Sequence, residues 1–538
     1  MCRVTVERRW DGWGDPSIRV SPTPHALETL ATLVGPGTPP HDASLADVVR
    51  SVPPSRLTPE PGLSTDAEDR IRHARGQDVS DHIALRSGRL PAVPDAIARP
   101  IDRAAVAALF ERATRDGWTV LPRGGGTSVV GGVTVVPSAR PVVVIDLGAL
   151  AGVHAIDPVS GLATVGAGTL GPALESELRD AGRRLGHVPQ SWAFSSVGGW
   201  IATRSSGAFS MRFGRIEDLF AGGHLEAPAG ALDLPPFPAS AAGPDLRQVI
   251  LGSEGRLGIV TEAILRTVPL PERDVVRAYS VPGWDRALTV GRTLASAGLG
   301  LSMVRIATPV ETSTTVALIG SDRARGYLQR YLGWRGQGPD SCLVLVGMAG
   351  PDRVVRAVEG EVGRVIKGQR GVGIPRLGPA WAHERLQAPY LRDGMWAAGY
   401  AVETLETAID WSRVPALADA LVATLAGGLQ DEDERVHAYA HLSHLYPSGS
   451  SLYVTYAFRV AADPDHMLER WRRLKTLASE TVVAHGGTIS HQHGVGRIHA
   501  SYLGAEKGEL GMSTLRGLVE RFDPGGILAP GVLLEDDR

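Results

Sequence analysis

The sequence predicts an α+β chain in two parts, with a C-terminal segment that returns to the first part. Three observations predict it. Between about residues 95 and 272, short β-branched runs interleave with helical periodicity. After "PLPERD" (269–274) the pattern changes to longer strand and helix runs, which read as a second α+β unit. The chain has 538 residues and is 43% hydrophobic, enough for several domains and a sizeable core. The expected parts are a partly helical lead-in (1–92), a first domain (93–272), a cap (273–475) and a final segment (476–538) that packs back on the first domain.

The lead-in is rich in Pro, Ser and Asp, with few periodic runs. "IDRAAVAALFERATRDG" then reads as a helix, with Asp102 as N-cap and Gly117 as stop. Val106, Leu109, Phe110 and Ala113 share one face of it. "WTVLP" (118–122) is a short strand, and "PVVVIDL" (141–147) reads as a strand buried on both faces. "LATVGAG" (162–168) is a further strand, and "LGPALESELRDAG" a helix with Leu170, Leu174 and Leu178 in register. "GIVTEAILRTVPL" (258–270) alternates as a strand should. In the cap, "SCLVLVG" and "SLYVTYAFRV" (451–460) read as strands. Helices are expected over 351–368, 411–426 and 464–485.

Composition excludes some classes of partner. Lys plus Arg is 55 and Asp plus Glu is 58, a net charge of −3, so no basic excess points to nucleic acid. No apolar run is long enough for a membrane span, and no amphipathic anchor stands out. The N-terminus lacks a secretory apolar core, so a cytoplasmic chain is expected. Cys2 and Cys342 fit no zinc spacing, and Cys342 reads as a core thiol. No metal site is expected.

The chemistry concentrates in loops. "LPRGGGTSVVGG" (121–132) places consecutive glycines and two hydroxyls after a strand, exposing several backbone N–H groups together. Such a nest binds anions. It is neither a P-loop nor a dinucleotide G-x-G-x-x-G fingerprint. "HVPQSWAFSSVGGWIATRSSG" (187–207) and "LGSEGRLGIVTE" (251–262) are two more segments dense in Ser, Thr and Gly. Three such segments in one domain suit a long polar ligand of dinucleotide size.

Together with "RRWDGWGD" (8–15), "ISHQHGVGR" (489–497) and "DPGGILAPGVLL" (523–534), these segments resemble the vanillyl-alcohol-oxidase (PCMH-type) FAD flavoproteins. Within them the likeness is closest to the alkyldihydroxyacetonephosphate synthases. The resemblance implies a two-part PCMH-type FAD-binding domain, an α+β cap and noncovalently held FAD. It implies that Pro122, Arg123, Gly124, Gly125, Gly126, Thr127 and Ser128 cradle the pyrophosphate. Gln190, Ser191, Ser195, Ser196, Thr203, Arg204, Ser205 and Ser206 would line the cofactor, as would Glu254, Gly255, Leu257, Gly258 and Val260. His187 also lies in such a segment, without an expected covalent bond.

The resemblance also implies catalytic roles for Tyr453, His491, His493 and Arg305, and substrate-phosphate binding by Arg392. A guanidinium fork matches phosphate oxygens. A phenol needs a lowered pKa or a partner base to move protons near neutral pH. The family's run of three histidines is here His491, Gln492 and His493; Gln hydrogen-bonds but does not titrate. Thr308 stands where the family pattern has aspartate. The implied reaction exchanges the acyl group of acyl-dihydroxyacetone phosphate for a long-chain alcohol through a flavin N5 adduct, as in ether lipid synthesis. The alternative is an FAD-dependent oxidoreductase of a 2-hydroxy acid or other small alcohol. Against it, "HLYPSGSSLY" (444–453) lacks the second histidine of the hydroxy-acid dehydrogenases' metal segment; for it, "HQHGVG" loosely matches their "GEHGIG". A small or lipid-like substrate and a homodimer are expected.

Overall fold

A computed structural model describes residues 8–318 and 322–535. Cys2 lies outside the described residues. The lead-in forms four short helices, Pro24–Val34, Leu45–Ser51, Ala67–Arg72 and Val79–Ser87. Thr23, Ser44, Asp66 and Asp78 each cap one by accepting a backbone N–H.

The first domain has two sheets. In the four-stranded one, Val142–Asp146 pairs in parallel with Ala96–Ala98 on one side and Thr119–Arg123 on the other. Val142 to Ile145 are all buried, as an inner parallel strand requires. The helix Arg103–Asp116 packs on this sheet, capped by Asp102 and ended by Gly117 at φ 71°. The second sheet has five strands in the order Val153–Asp157, Leu162–Gly166, Ile259–Arg266, Phe220–Ala227, Gly230–Leu234. Strands and helices interleave along this part of the chain, yet every pair in this sheet is antiparallel. Its strands meet through hairpins or antiparallel returns, which need no helical crossover. Leu174 and Leu178 bury the helix Gly171–Asp180 against it, while Leu170 is the cap residue before that helix.

The cap is one antiparallel seven-stranded sheet. Its order is Val372–Gly373, Arg273–Pro282, Ser341–Gly350, Leu301–Ala307, His437–Leu445, Gly449–Arg459, Tyr400–Asp410. The helices Trp284–Ser296, Asp352–Gly368, Val414–Gly427 and Pro464–Ala484 cover one face through Leu294, Val362, Leu421, Leu474 and Val482. The last of these helices runs across the boundary expected between residues 475 and 476, where the final segment was to start. Cys342 lies in this core, where burial pushes its thiol up to about 12. Part of the opposite face, Met303, Ala307, Leu343 and Leu345, is covered by the helices Asp322–Trp334 and Leu377–Glu384.

The chain then returns to the first domain. The helix Leu503–Phe522 contributes Leu503 and Val519 to that domain's core. Beyond it, Val120 N–H donates to Ile527 O, Ala529 N–H to Val120 O, and Arg256 to Leu528 O, at 2.7–2.8 Å.

Candidate active site

The glycine loop and its neighbours meet at one place. A Cβ on Gly125 would collide with the Phe194 carbonyl, and one on Gly124 with the Ser196 hydroxyl. Gly126 sits at φ 66°, against the Arg123 guanidinium. The third segment closes on the second: Glu254 N–H donates to Ala202 O at 2.9 Å and Gly252 N–H to Ile201 O at 3.1 Å. Gly255, at φ 83°, packs a Cβ position 3.2 Å from Pro122. Among the described residues, none of the N–H groups of Gly124 to Val129 has a protein acceptor. Ser206 Oγ and Gln492 Oε1 are buried and likewise unpartnered. A backbone that only glycine permits, open donors and orphaned polar atoms fit a long phosphate-bearing ligand.

Several implied contacts turn out to be internal. The Arg123 guanidinium, packed against Gly126, donates to Arg75 O at 2.7 Å and Arg72 O at 3.2 Å. Ser195 Oγ accepts from Trp200 Nε1, Ser196 caps the helix Val197–Thr203, and Thr203 donates back to Gly199 O. Ser205 Oγ lies 2.8 Å from His187 Nε2, and burial drops the His187 pKa to about 3. Ser128 Oγ accepts from Gly132 N–H at 3.0 Å. Gln190 reaches the Arg385 carbonyl, and Arg204 reaches Gln248. Leu257 and Val260 are core residues, and Gly258 passes close to Glu226 O. These side chains shape the cradle, while the buried Ser206 hydroxyl and the loop amides have no partner among the described residues. Ser191 lies in the turn between these segments, its carbonyl taking the Phe194 and Ser195 N–H groups.

The cap sheet supplies the second half. His441 pairs with Tyr453, and Tyr453 with Glu406, so the three share a row on one face. Ala307 pairs with His441, which puts Arg305 on the same face two residues away. The His441 ring stacks on Tyr453 at 5.1 Å. Arg305 holds His441 Nδ1 at 3.2 Å and pairs with buried Glu311, which lies 3.1 Å from His441. Burial works against the Glu311 charge, but Arg305 and His441 bring its carboxyl down to about 2.

The loop carrying the histidines is gripped by two carboxylates, one from each domain. Glu406 accepts the N–H groups of His491, Gln492 and His493 at 2.9–3.0 Å and the Ser490 hydroxyl at 3.0 Å. Burial pushes its carboxyl up, but His491, His493 and the loop amides outweigh that and hold it below the usual carboxylate range. Glu254, with φ 50°, accepts from Val495 N–H at 2.6 Å and Gly496 N–H at 2.8 Å. Burial pushes the Glu254 carboxyl up to about 7 against the pull of those amides. His491 Nε2 takes Arg215 at 2.8 Å and Tyr446 Oη at 2.6 Å. The His493 ring meets the Tyr453 edge at 5.6 Å, and burial holds His493 below the ordinary histidine range. A cavity of about 480 Å³ opens beside the loop, lined by Arg204, Glu254, His491, Gln492 and Leu515 among others.

Arg392 stands on the helix Ala388–Ala397. It donates to the Gln77 carbonyl, while its buried Nε has no partner. The "RRWDGWGD" segment fixes that helix. Trp13 N–H donates to Asp393 at 3.0 Å, Asp15 N–H to Tyr390 Oη at 3.2 Å, and Gly14 at φ 68° leaves no room for a Cβ beside Tyr390. From the same segment Arg8 donates to Gly125 O and Phe194 O, tying the helix Ala388–Ala397 to the glycine loop.

Sequence reasoning missed Glu406, His441, Glu311 and Arg215. A signal was present for His441: "HAYAHLSHL" alternates polar and apolar residues with a strand period. Nothing local marked Glu406, because its role lies in amides 85 residues away.

Comparison with known proteins follows the same lines. Residues 94–232 match the FAD binding domain family and residues 270–533 the family of FAD linked oxidases, C-terminal domain. The alkyldihydroxyacetonephosphate synthase of Dictyostelium discoideum is 30% identical over 480 residues, 88% of this chain and 78% of that protein. A solved structure of an alkyldihydroxyacetonephosphate synthase superposes with a TM-score of 0.82 at 26% identity, covering 97% of this chain and 98% of the other. A solved p-cresol methylhydroxylase, 14% identical, shares the fold alone at a TM-score of 0.68, covering 94% of this chain and 95% of the other. FAD is the cofactor that these relationships assign, and the cradle fits it. The chain therefore belongs to the alkyldihydroxyacetonephosphate synthase family, with its two-part PCMH-type fold.

Proposed function

We propose that the chain exchanges the acyl group of an acyl-dihydroxyacetone phosphate for a long-chain alcohol. One observation carries this beyond family membership. Arg305, His441, Tyr453, Glu406 and the His491–His493 loop converge on one face, next to the glycine cradle. The exchange is redox-neutral: one C–O bond to the departing fatty acid breaks, and one to the alcohol oxygen forms at the same carbon. The acid leaves as carboxylate and the alcohol proton goes to the site. Bound FAD supplies the nucleophilic and electron-accepting chemistry of its isoalloxazine ring.

The side chains divide the remaining work. His493, kept neutral near pH 7 by burial, suits a proton acceptor for the carbon beside the ketone. Tyr453 cannot serve as a phenolate. Burial pushes its pKa up to about 12, the reverse of the lowering that its role was expected to need. It stays protonated, with Thr404 Oγ1 accepting its hydrogen bond at 3.2 Å, and so suits a hydrogen-bond donor to a reacting oxygen rather than a proton acceptor. Arg392 keeps an unpartnered Nε for the substrate phosphate. Arg305, neutralised by Glu311, orients the ring beneath Tyr453.

The test uses FAD-loaded protein with palmitoyl-dihydroxyacetone phosphate and hexadecanol. Mass spectrometry should show the alkyl ether and free palmitate, both lost in Tyr453→Phe and Arg392→Ala. A reducible, flavin-loaded protein that forms no ether would refute the proposal. The match of residues 270–533 to FAD linked oxidases would then favour the second reading, an oxidoreductase, tested with 2-hydroxy acids and an artificial electron acceptor.

A further inference from the structure

Two buried charges of the cap take no part in the steps assigned to the site. Lys475, on the helix Pro464–Ala484, is 5% exposed, and Glu403, on the strand Tyr400–Asp410, is 2% exposed. Lys475 Nζ stands 4.0 Å from Glu403 Oε2. Trp471, one helical turn before Lys475, donates its Nε1–H to the same oxygen at 2.8 Å. Burial works against the Glu403 charge, but Lys475 and Arg392 hold its carboxyl below the ordinary range. A buried ion pair is weak support for stability, because desolvation offsets much of the attraction. What this pair contributes is position, since both charges close on one residue, Thr404. Lys475 Nζ donates to Thr404 O at 2.8 Å, its one hydrogen bond among the described residues, and Thr404 N–H donates to Glu403 Oε1 at 2.7 Å.

Thr404 needs such partners because Tyr400–Asp410 is the last strand of the cap sheet, with no further strand to take its outward N–H and C=O. It also holds the site, since its Oγ1 accepts the Tyr453 hydroxyl at 3.2 Å. We propose that Lys475 and Glu403 are positioning residues, which clamp Thr404 by both of its backbone groups and so aim the Tyr453 phenol. A hydroxyl both donates and accepts. Thr404 can therefore turn round and donate to Tyr453 Oη when the phenol gives its own hydrogen bond to a reacting oxygen. The clamp keeps the two oxygens within reach of each other through that exchange. The part played by Tyr453 in the reaction rests on the proposed function, whereas the clamp on Thr404 does not.

The test joins turnover to a probe that needs none. The FAD-loaded full chain is made with 3-fluorotyrosine in place of Tyr453 and followed by fluorine NMR. Lys475→Met alone strands a buried carboxylate and destabilises the cap, so it is combined with Glu403→Gln, which keeps an acceptor for Trp471 and Thr404. This neutral double variant should shift or broaden the fluorine resonance, as should Thr404→Val, at unchanged circular dichroism and flavin content. Thr404→Ser, which keeps the hydroxyl, should leave the resonance near its wild-type position. In ether formation the double variant should lower kcat roughly tenfold, with KM for palmitoyl-dihydroxyacetone phosphate within about twofold, because misplacing a reacting group costs turnover first. With Tyr453→Phe also present, the double variant should cost no further turnover, because its effect passes through the missing hydroxyl. An unmoved resonance, a loss confined to KM, or the same loss with and without the Tyr453 hydroxyl would overturn the proposal. If wild type forms no ether, the proposed reaction is refuted, and the fluorine resonance alone decides whether the clamp sets the phenol.

Discussion

Tyr453 and Glu254 show what single residues decide. Tyr453 makes one hydrogen bond, to Thr404, so Tyr453→Phe should cost about 1 kcal/mol of stability at most. Its turnover should fall by a factor of about 100 or more, because a positioned hydrogen-bond donor at a reacting oxygen is worth that much. Ether formation and urea unfolding on the same sample separate the two effects. Glu254 gives a pH signature. Its carboxyl rises from an ordinary 4.5 to about 7 in the folded chain, so the folded state binds that proton more tightly. The stability it contributes is complete below about pH 4.5 and disappears as pH rises through about 7, a loss on the order of 3 kcal/mol. Glu406 runs the other way: its carboxyl is held low, so its contribution is present above the usual carboxylate pKa and is lost as pH falls. Urea unfolding at about pH 5 and about pH 8 should show the Glu254 slope in wild type. Glu254→Gln, which carries no titrating group, should show none of it, and an unchanged slope would contradict the assignment.

At the scale of elements, the loops act by letting backbones touch. The Gly124 to Gly126 turn passes against Phe194 to Ser196 so closely that no side chain fits between them. Gly125→Ala must push one segment off the other. Overpacking of this kind costs about 1–3 kcal/mol. We expect purified Gly125→Ala to carry about a tenth or less of the wild-type flavin, read as absorbance per protein. Full flavin occupancy would show that the turn is not the cradle. The antiparallel five-stranded sheet and the cap sheet serve as rigid frames for these loops, and the carboxylates of Glu254 and Glu406 grip the histidine loop from both.

The whole molecule is closed by contacts that join distant parts of the chain. Arg8 reaches Gly125 and Phe194, Trp13 reaches Asp393, and Leu528 lies beside Val120. The cradle lies among these contacts, so FAD should stabilise the chain as a whole. With free FAD at a hundred times its dissociation constant, linkage predicts about 2.7 kcal/mol. Flavin-stripped protein should therefore melt earlier by scanning calorimetry, and added FAD should restore the higher midpoint. Equal midpoints would mean that FAD does not bind where the domains close.

The sequence by itself determined the local elements and the ligand-binding chemistry of the loops. Caps such as Asp102, the stop at Gly117, the buried run Val142 to Ile145 and the helix Asp352–Gly368 depend on neighbours a few residues away. Glycine in quantity beside hydroxyls reports a close backbone approach wherever it occurs. Only the tertiary structure decided the rest. Which side chains are spent on internal partners, as Arg123 is, and which keep a buried unpartnered atom, as Ser206 does, depends on packing between segments far apart in the chain. The antiparallel pairing of the second sheet, the place of Glu406 under the histidine loop and the raised pKa of Tyr453 depend on burial and on partners 33 to 85 residues distant. Periodicity reports what a residue does for its own helix or strand, whereas pairing and desolvation are set by what the fold brings against it.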